Sequence, residues 1–199
     1  PLKVIGLTGG IASGKSTASR YLSERGAFVI DADKLGHAAY EPGTQAFQQV
    51  VDTFGGEIVG EDGQIDRKAL GAKVFGEGNR LTELTDIVWP EILRLAVVQI
   101  EERRKSHPDG IVALEAAVLL EAGWESVVDE LWVVVVDPGT AIERAMARDG
   151  VDRAAIQARI DAQLSNDERA ARADVLLSNS ADEAALVSLL DVQWQRLAG

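Results

Sequence analysis

The run Gly9-Gly10-Ile11-Ala12-Ser13-Gly14-Lys15-Ser16, followed by Thr17, has the residue types and spacing needed to hold a polyphosphate. It fits the pattern G-x-x-x-x-G-K-[ST], between an apolar strand-like run and a helical stretch. Glycines let the backbone wrap a phosphate with its N–H groups turned inward, and the following helix adds the positive end of its dipole. In such a loop Lys15 reaches the β- and γ-phosphates, and the Ser16 hydroxyl becomes a ligand of Mg²⁺. A glycine-rich turn with no ligand would not need Lys and Ser at those two places.

Two further groups bear on the chemistry that phosphate binding would serve. Phe28-Val29-Ile30 ends in Asp31-Ala32-Asp33. In open α/β sheets the ligand crevice lies outside the carboxyl ends of the strands, so one of these carboxylates is placed to meet an acceptor hydroxyl. Asp33 is the candidate for that work; Asp31 reads as the structural member, since an Asp at a strand end also caps helices. Asp33-Lys34-Leu35-Gly36 has the Asp-x-x-Gly form of GTPase switches, but it comes only 18 positions after Lys15, and no Asn-Lys-x-Asp guanine-reading motif occurs. From Arg144 to Arg172 there are six arginines and no lysine, in a chain that is acidic elsewhere. Arg144 and Arg148, four apart on a predicted helix, share a face and suit polyphosphate charge. Arg153, Arg169 and Arg172 read equally well as a solvated face paired with nearby acids. Arg67, Lys68 and Lys73 are cations placed to steer an anionic acceptor.

The elements that must position these residues alternate. Apolar runs at Val4 to Leu7, Phe28 to Ile30, Ile111 to Leu114, Leu131 to Val136 and Val175 to Leu177 read as strands, and longer helical stretches separate them. That alternation predicts an α/β fold with a parallel sheet covered on both faces. The roughly 80 residues between the second and third runs read as wholly helical, far more than one crossover needs. Their clearest helix is predicted to follow Pro90, with Leu93, Ala96, Val97 and Ile100 on one face. Val187, Leu190, Trp194 and Leu197 predict a closing helix packed on the sheet.

With 199 residues, 46% of them hydrophobic and 26% charged, the chain has the make-up of one globular unit. Its 32 acidic and 20 basic residues leave a formal charge of -12, which argues against a nucleic-acid or anionic-membrane partner. There is no cysteine, so disulfides and thiolate catalysis are excluded. No apolar run is long enough to span a bilayer, and Leu2 to Thr8 reads as a buried strand instead of a leader. A cytoplasmic enzyme is expected, with a monomer as the simplest state.

Taken in order, several segments resemble the dephospho-coenzyme A kinase family over nearly the whole chain. They are Gly6 through Thr17, Gly26 to Asp33, Gly63 to Arg67 with Leu70, Val74 and Phe75, and Leu119-Leu120-Glu121. Arg144, Arg148-Asp149-Gly150, Arg159-Ile160, Gln163, Ala173-Asp174 and Asn179 complete the series. Two departures from the bacterial pattern are similar to the kinase domain of the bifunctional coenzyme A synthase of animals. Thr85 to Pro90 replaces the usual His-Pro, and the segment Glu115 to Trp124 lacks the usual proline before Leu119-Leu120.

The resemblance implies a P-loop kinase fold: a parallel five-stranded sheet flanked by helices, forming one domain over residues 1–199. Within it come a helical acceptor-binding insertion over approximately 60–105 and a lid over 142–165. It implies transfer of the γ-phosphoryl group of ATP, with Mg²⁺, to the 3′-hydroxyl of dephospho-coenzyme A, the last step of coenzyme A biosynthesis. Asp33 matches the proposed general base, Lys15 and Arg144 join it as catalytic residues, and Arg144 belongs to the lid. Gly9 to Thr17, Arg144, Arg148 and Asn179 would hold the nucleotide, Asn179 near adenine. The residues by themselves leave open another small-molecule kinase, acting on a nucleoside or a shikimate-like alcohol, or a nucleotide-dependent interaction module.

Overall fold

The computed structural model describes residues 1–76 and 78–199. Its strands are β1 (Lys3–Gly9), β2 (Phe28–Asp31), β3 (Ile111–Glu115), β4 (Glu130–Val135) and β5 (Val175–Ser178). Its helices are α1 (Lys15–Glu24), α2 (Ala32–Ala38), α3 (Gln45–Phe54), α4 (Arg67–Gly76) and α5 (Leu81–Ser106), then α6 (Pro138–Asp149), α7 (Arg153–Ala162), α8 (Asn166–Arg172) and α9 (Glu183–Ala198). Each of the five apolar runs is a strand, to within two residues at either end. The chain divides into two compact units, Pro1–Ile30 with Ile100–Gly199, and Asp31–Gln99.

The sheet order is β2-β3-β1-β4-β5. β1 runs parallel to both β3 and β4, and β4 parallel to β5. Leu7 lies opposite Glu115 on one side and Trp132 on the other. β1 is apolar on both faces because both are covered: Ile5 and Leu7 are fully buried. They join Leu22 of α1, Trp132, Leu177 and, from α9, Leu186 and Leu190 in one apolar cluster. Burying a leucine of this kind stabilises the fold by about 1.5–3 kcal/mol. Val187, Trp194 and Leu197 pack on the same cluster, so α9 is the closing helix that its spacing predicts.

Side chains that sequence can name start the later helices. Asp137 accepts the Thr140 N–H at 3.0 Å, Asp152 that of Ala155 at 2.8 Å, Ser165 that of Glu168 at 3.1 Å and Asp182 that of Ala185 at 2.9 Å. Each cap is worth about 1 kcal/mol. Pro138 takes the first position of α6, where its missing N–H costs nothing, and Gly150 ends that helix in the left-handed region at φ 66°.

The unit Asp31–Gln99 departs from its sequence reading in two places. It is not wholly helical: Val59 and Ile65 form an isolated antiparallel bridge. The Gly60 N–H to Gln64 oxygen bond at 2.8 Å and the Asp66 N–H to Ile58 oxygen bond at 2.7 Å close this short reversal. The helix expected after Pro90 in fact begins at Leu81 and carries Pro90 inside it. An interior proline costs roughly 3 kcal/mol through the lost bond and the ring clash. The apolar series Leu84, Val88 and Ile92 gives the reason it is tolerated, since Val88 and Ile92 are buried on the face that the longer helix keeps in register. Among the described residues no helix is long and apolar enough to cross a membrane.

Candidate functional site

The loop between β1 and α1 is shaped by two close approaches. A Cβ on Gly9 would fall 2.5 Å from the Val134 carbonyl oxygen, and one on Gly14, at φ +103°, would fall 2.3 Å from Asn179 Nδ2. No side chain fits at either place. Ala12, at φ 54°, is in the left-handed region without being glycine, a conformation that costs an L-residue roughly 1–2 kcal/mol. Gly14 caps α1 with no side-chain acceptor, so the first N–H groups of that helix face the loop. Lys15 folds back over it, its Nζ donating to the Gly9 oxygen at 3.1 Å and the Gly10 oxygen at 3.4 Å. The Ser16 side chain in the first turn is exposed. Cradle, cation and hydroxyl therefore sit together as the spacing predicts.

Two clefts flank this loop. One, of about 300 Å³, is lined by Ala12, Gly14, Thr17, Arg144, Asn179 and Leu186 among others. Asn179 is buried at its edge, donating its side-chain amide to the Ser13 oxygen at 2.8 Å. Arg144 spreads its fork over the turn after β5, with Nη1 to the Asn179 oxygen at 2.8 Å and Nη2 to the Ala181 oxygen at 2.9 Å. Arg148 is placed elsewhere. It pairs with Asp149 at 2.8 Å, and Arg159 reaches the same carboxylate at 3.6 Å. The Arg148 hydrogen bonds, ahead of the charges, hold the Asp149 carboxyl below its usual range.

The larger cleft, about 630 Å³, runs from Gly10 and Ile11 to the residues between α7 and α8. Here Gln163 Oε1 accepts the Ile11 N–H at 3.2 Å. Asn166 Nδ2 ties the same segment to the Val136 oxygen at 2.9 Å. Arg169 also lines this cleft at 3% exposure, and among the described residues its Nε and Nη2 have no hydrogen-bond partner, nor has the buried Ser13 hydroxyl. Burial lowers the Arg169 pKa, against the charges of Glu121 and Glu168. Glu121 is raised by burial, with Arg169 pulling the other way. The equal weight given to a solvated face for Arg169 therefore fails, because α8 turns this residue inward. Arg172, three positions on, is the exposed member and pairs with Glu125. Arginine density was the signal in the sequence; which of the six lies inside depends on how a seven-residue helix is rotated.

In the unit Asp31–Gln99, Asp31 caps α2, its Oδ1 accepting the Asp33 N–H at 2.9 Å and the Lys34 N–H at 3.4 Å. That leaves Asp33 in the first turn with an exposed carboxylate. A cleft of about 320 Å³ in this unit is lined by apolar groups such as Leu70, Val74 and Trp89, with Arg67, His37 and Tyr40. Lys73, expected as a steering cation, pairs with Glu57. Among the described residues no three His, Cys, Asp or Glu side chains stand together as a metal cage.

Comparison with known proteins identifies the family of the chain. The profile of the family described as Dephospho-CoA kinase matches residues 3–184. The Dephospho-CoA kinase of Geobacter sulfurreducens is 44% identical over 195 residues, 98% of each chain. That of Carboxydothermus hydrogenoformans is 48% identical over 179 residues, 90% of this chain and 86% of its own. Among solved structures, TT1252 from Thermus thermophilus superposes with a TM-score of 0.80 at 33% identity, covering 99% of this chain and 98% of its own.

Proposed function

The chain belongs to the dephospho-CoA kinase family, and from that premise we propose that it transfers the γ-phosphoryl group of ATP to the 3′-hydroxyl of dephospho-coenzyme A. The observation that carries this reading is the loop itself: Gly9 and Gly14 admit no side chain, Lys15 lies across the cradle and an uncapped helix end faces it. The acceptor oxygen attacks the γ-phosphorus, the bond to the β–γ bridging oxygen breaks, and ADP leaves. Lys15 offsets the charge that gathers on the phosphate oxygens, and Asp33 takes the hydroxyl proton as it becomes acidic late in the transfer. A carboxylate is a weak base toward an alcohol, so the main contribution of Asp33 is orientation.

Mg²⁺ would be held by the Ser16 hydroxyl together with phosphate oxygens of the nucleotide. An exposed hydroxyl beside the cradle suits an ion that keeps most of its waters and arrives with ATP. The ion would neutralise phosphate charge. Arg144 and Asn179 border the smaller cleft, which we assign to the nucleoside, and residues 142–165 act as the lid. The cleft of the helical unit, with Arg67 at its wall, is assigned to the acceptor, whose diphosphate is anionic. We place the reaction in the cytoplasm, where ATP is supplied.

The test is ADP release with dephospho-coenzyme A, adenosine and shikimate as alternative acceptors. Dephospho-coenzyme A should stimulate turnover well above the others. Equal turnover with another alcohol would move the assignment to a different small-molecule kinase, and no acceptor dependence would leave only a nucleotide-binding module.

A further inference from the structure

The larger cleft beside the phosphate loop holds a cation that the proposed transfer does not yet use. We propose that Arg169 is a further catalytic residue, whose guanidinium takes an oxygen of the transferred phosphoryl group. This rests on the kinase reading and adds a contact that tells ATP from ADP.

Four observations support it. Arg169 is nine-tenths buried or more, yet its Nε and Nη2 have no partner. Buried charges are ordinarily paired, so an unpaired one that persists points to a ligand. The Ser13 hydroxyl, on the wall of the same cleft, is likewise buried and unpartnered, so two donors await an acceptor in one place. Arg103 Nε also lacks a hydrogen-bond partner, but its guanidinium lies 5.1 Å from the centre of the Phe28 ring, which accepts its charge. Among the described residues Arg169 has no such ring contact.

Position narrows the ligand to the terminal phosphoryl group. A Cβ built on Gly10 would lie 3.1 Å from Arg169 Nη1 and 3.7 Å from Gln163 Oε1, so guanidinium and carboxamide flank the start of the loop. The N–H groups at the head of α1, further along the loop, suit the phosphate that ATP and ADP share. Gly10 and Ile11 lie before them, on the side where a third phosphate extends. The Ile11 N–H already donates to Gln163 Oε1 at 3.2 Å, so this donor is directed to that side of the loop. A planar fork suits two oxygens of one phosphoryl group.

The experiment compares the dissociation constants of ADP and of the β,γ-imido analogue of ATP, with Mg²⁺, in the full chain. The proteins are wild type, Arg169→Gln, Arg169→Lys and the exposed Arg172→Gln, and kcat and melting temperature are measured alongside. Arg169→Gln should weaken the analogue about 10–100-fold more than ADP, on the scale of a hydrogen bond to a charged group, and lower kcat. Arg169→Lys should recover part of that preference, and Arg172→Gln should leave both affinities unchanged. Because the Nε and Nη2 of Arg169 make no hydrogen bond within the fold, Arg169→Gln should melt close to the wild-type temperature. Equal weakening of both nucleotides, no weakening of either, or a collapsed melting temperature would make Arg169 structural and overturn the assignment. A wild type that binds neither nucleotide would take the kinase reading down with it, which separates the two failures.

Discussion

Glu130 and Arg169 are both buried charges in the unit that holds the sheet, and their surroundings are opposite. Glu130 opens β4, at the amino end of the strands. It accepts the Trp132 indole N–H at 2.8 Å and the Lys3 ammonium at 3.3 Å, and Arg196 closes on both of its oxygens. Arg169 lies at the other end, beside the loop that follows β1, with two of its nitrogens unpartnered. Burial raises the Glu130 pKa, but the hydrogen bonds from Arg196, Trp132 and Lys3 outweigh it and the net shift is downward. For Arg169 burial dominates and the shift is also downward, which for a base means that its charged form is the disfavoured one. A charge given partners by the fold serves the fold; a charge left without them serves what binds. The amino end of this sheet is finished and the carboxyl end is prepared.

That contrast predicts where mutations act. Among the residues assigned to the transfer, Asp33→Asn should lower kcat by roughly 10²–10⁴, the scale of a positioned general base, with little change in ATP affinity or melting temperature. A loss confined to ATP affinity, read by calorimetry, would mean that Asp33 serves the metal or the loop. Lys15→Ala should lower kcat by about 10²–10³ or more and leave the fold intact, as circular dichroism would show. Near wild-type turnover would remove the phosphate-loop assignment.

At the finished end the effect should be on stability alone. Glu130→Gln weakens the hydrogen bonds from Arg196 and Lys3, whose side chains are 45% and 42% exposed and can turn to solvent. It should destabilise by about 1.5–2 kcal/mol, the scale of a hydrogen bond to a charged group, while kcat stays unchanged. Glu130 also sets a pH dependence. Its folded pKa lies below the ordinary 4.5, so its contribution is complete above that value and is lost as pH falls through the folded pKa. Urea melts from pH 6 down to pH 3 should show wild type losing more stability than Glu130→Gln does. Parallel losses would break the comparison.

The smallest expected effect is at Arg144, which belongs partly to both classes. It lines the cleft we assign to the nucleoside, yet its fork already holds the Asn179 and Ala181 carbonyls. Arg144→Lys keeps the charge and loses the fork, so kcat should fall about 10-fold, the cost of one paired hydrogen bond. Nucleotide affinity should change less. Hydrogen exchange over residues 144–163 should slow on adding an ATP analogue; no slowing, with a kinetically silent Arg144→Lys, would remove the lid.

The prepared end was the more legible of the two in sequence. The phosphate loop is a local object, since its spacing, its glycines and the strand before it are contiguous, and the five apolar runs mark a parallel sheet because buried strands must be apolar on both sides. Asp31 and Asp33 separated correctly into cap and exposed carboxylate because a cap is decided within three residues. What escaped is what tertiary packing decides. The start of α5 was hidden by Pro90, a local stop signal overridden by burial of Val88 and Ile92. Glu130 meets Arg196 across 66 positions, and Arg169 is turned inward by the seating of α8, so neither has a signature in its neighbours.

The central claim is that phosphate leaves ATP for one particular oxygen. Phosphorus NMR of a reaction of the full chain with MgATP and dephospho-coenzyme A tests it directly. The account predicts a new phosphomonoester resonance coupled to the ribose 3′ hydrogen, growing in equal measure with ADP. ADP accompanied by inorganic phosphate alone, or a phosphoester on any other oxygen, would contradict it.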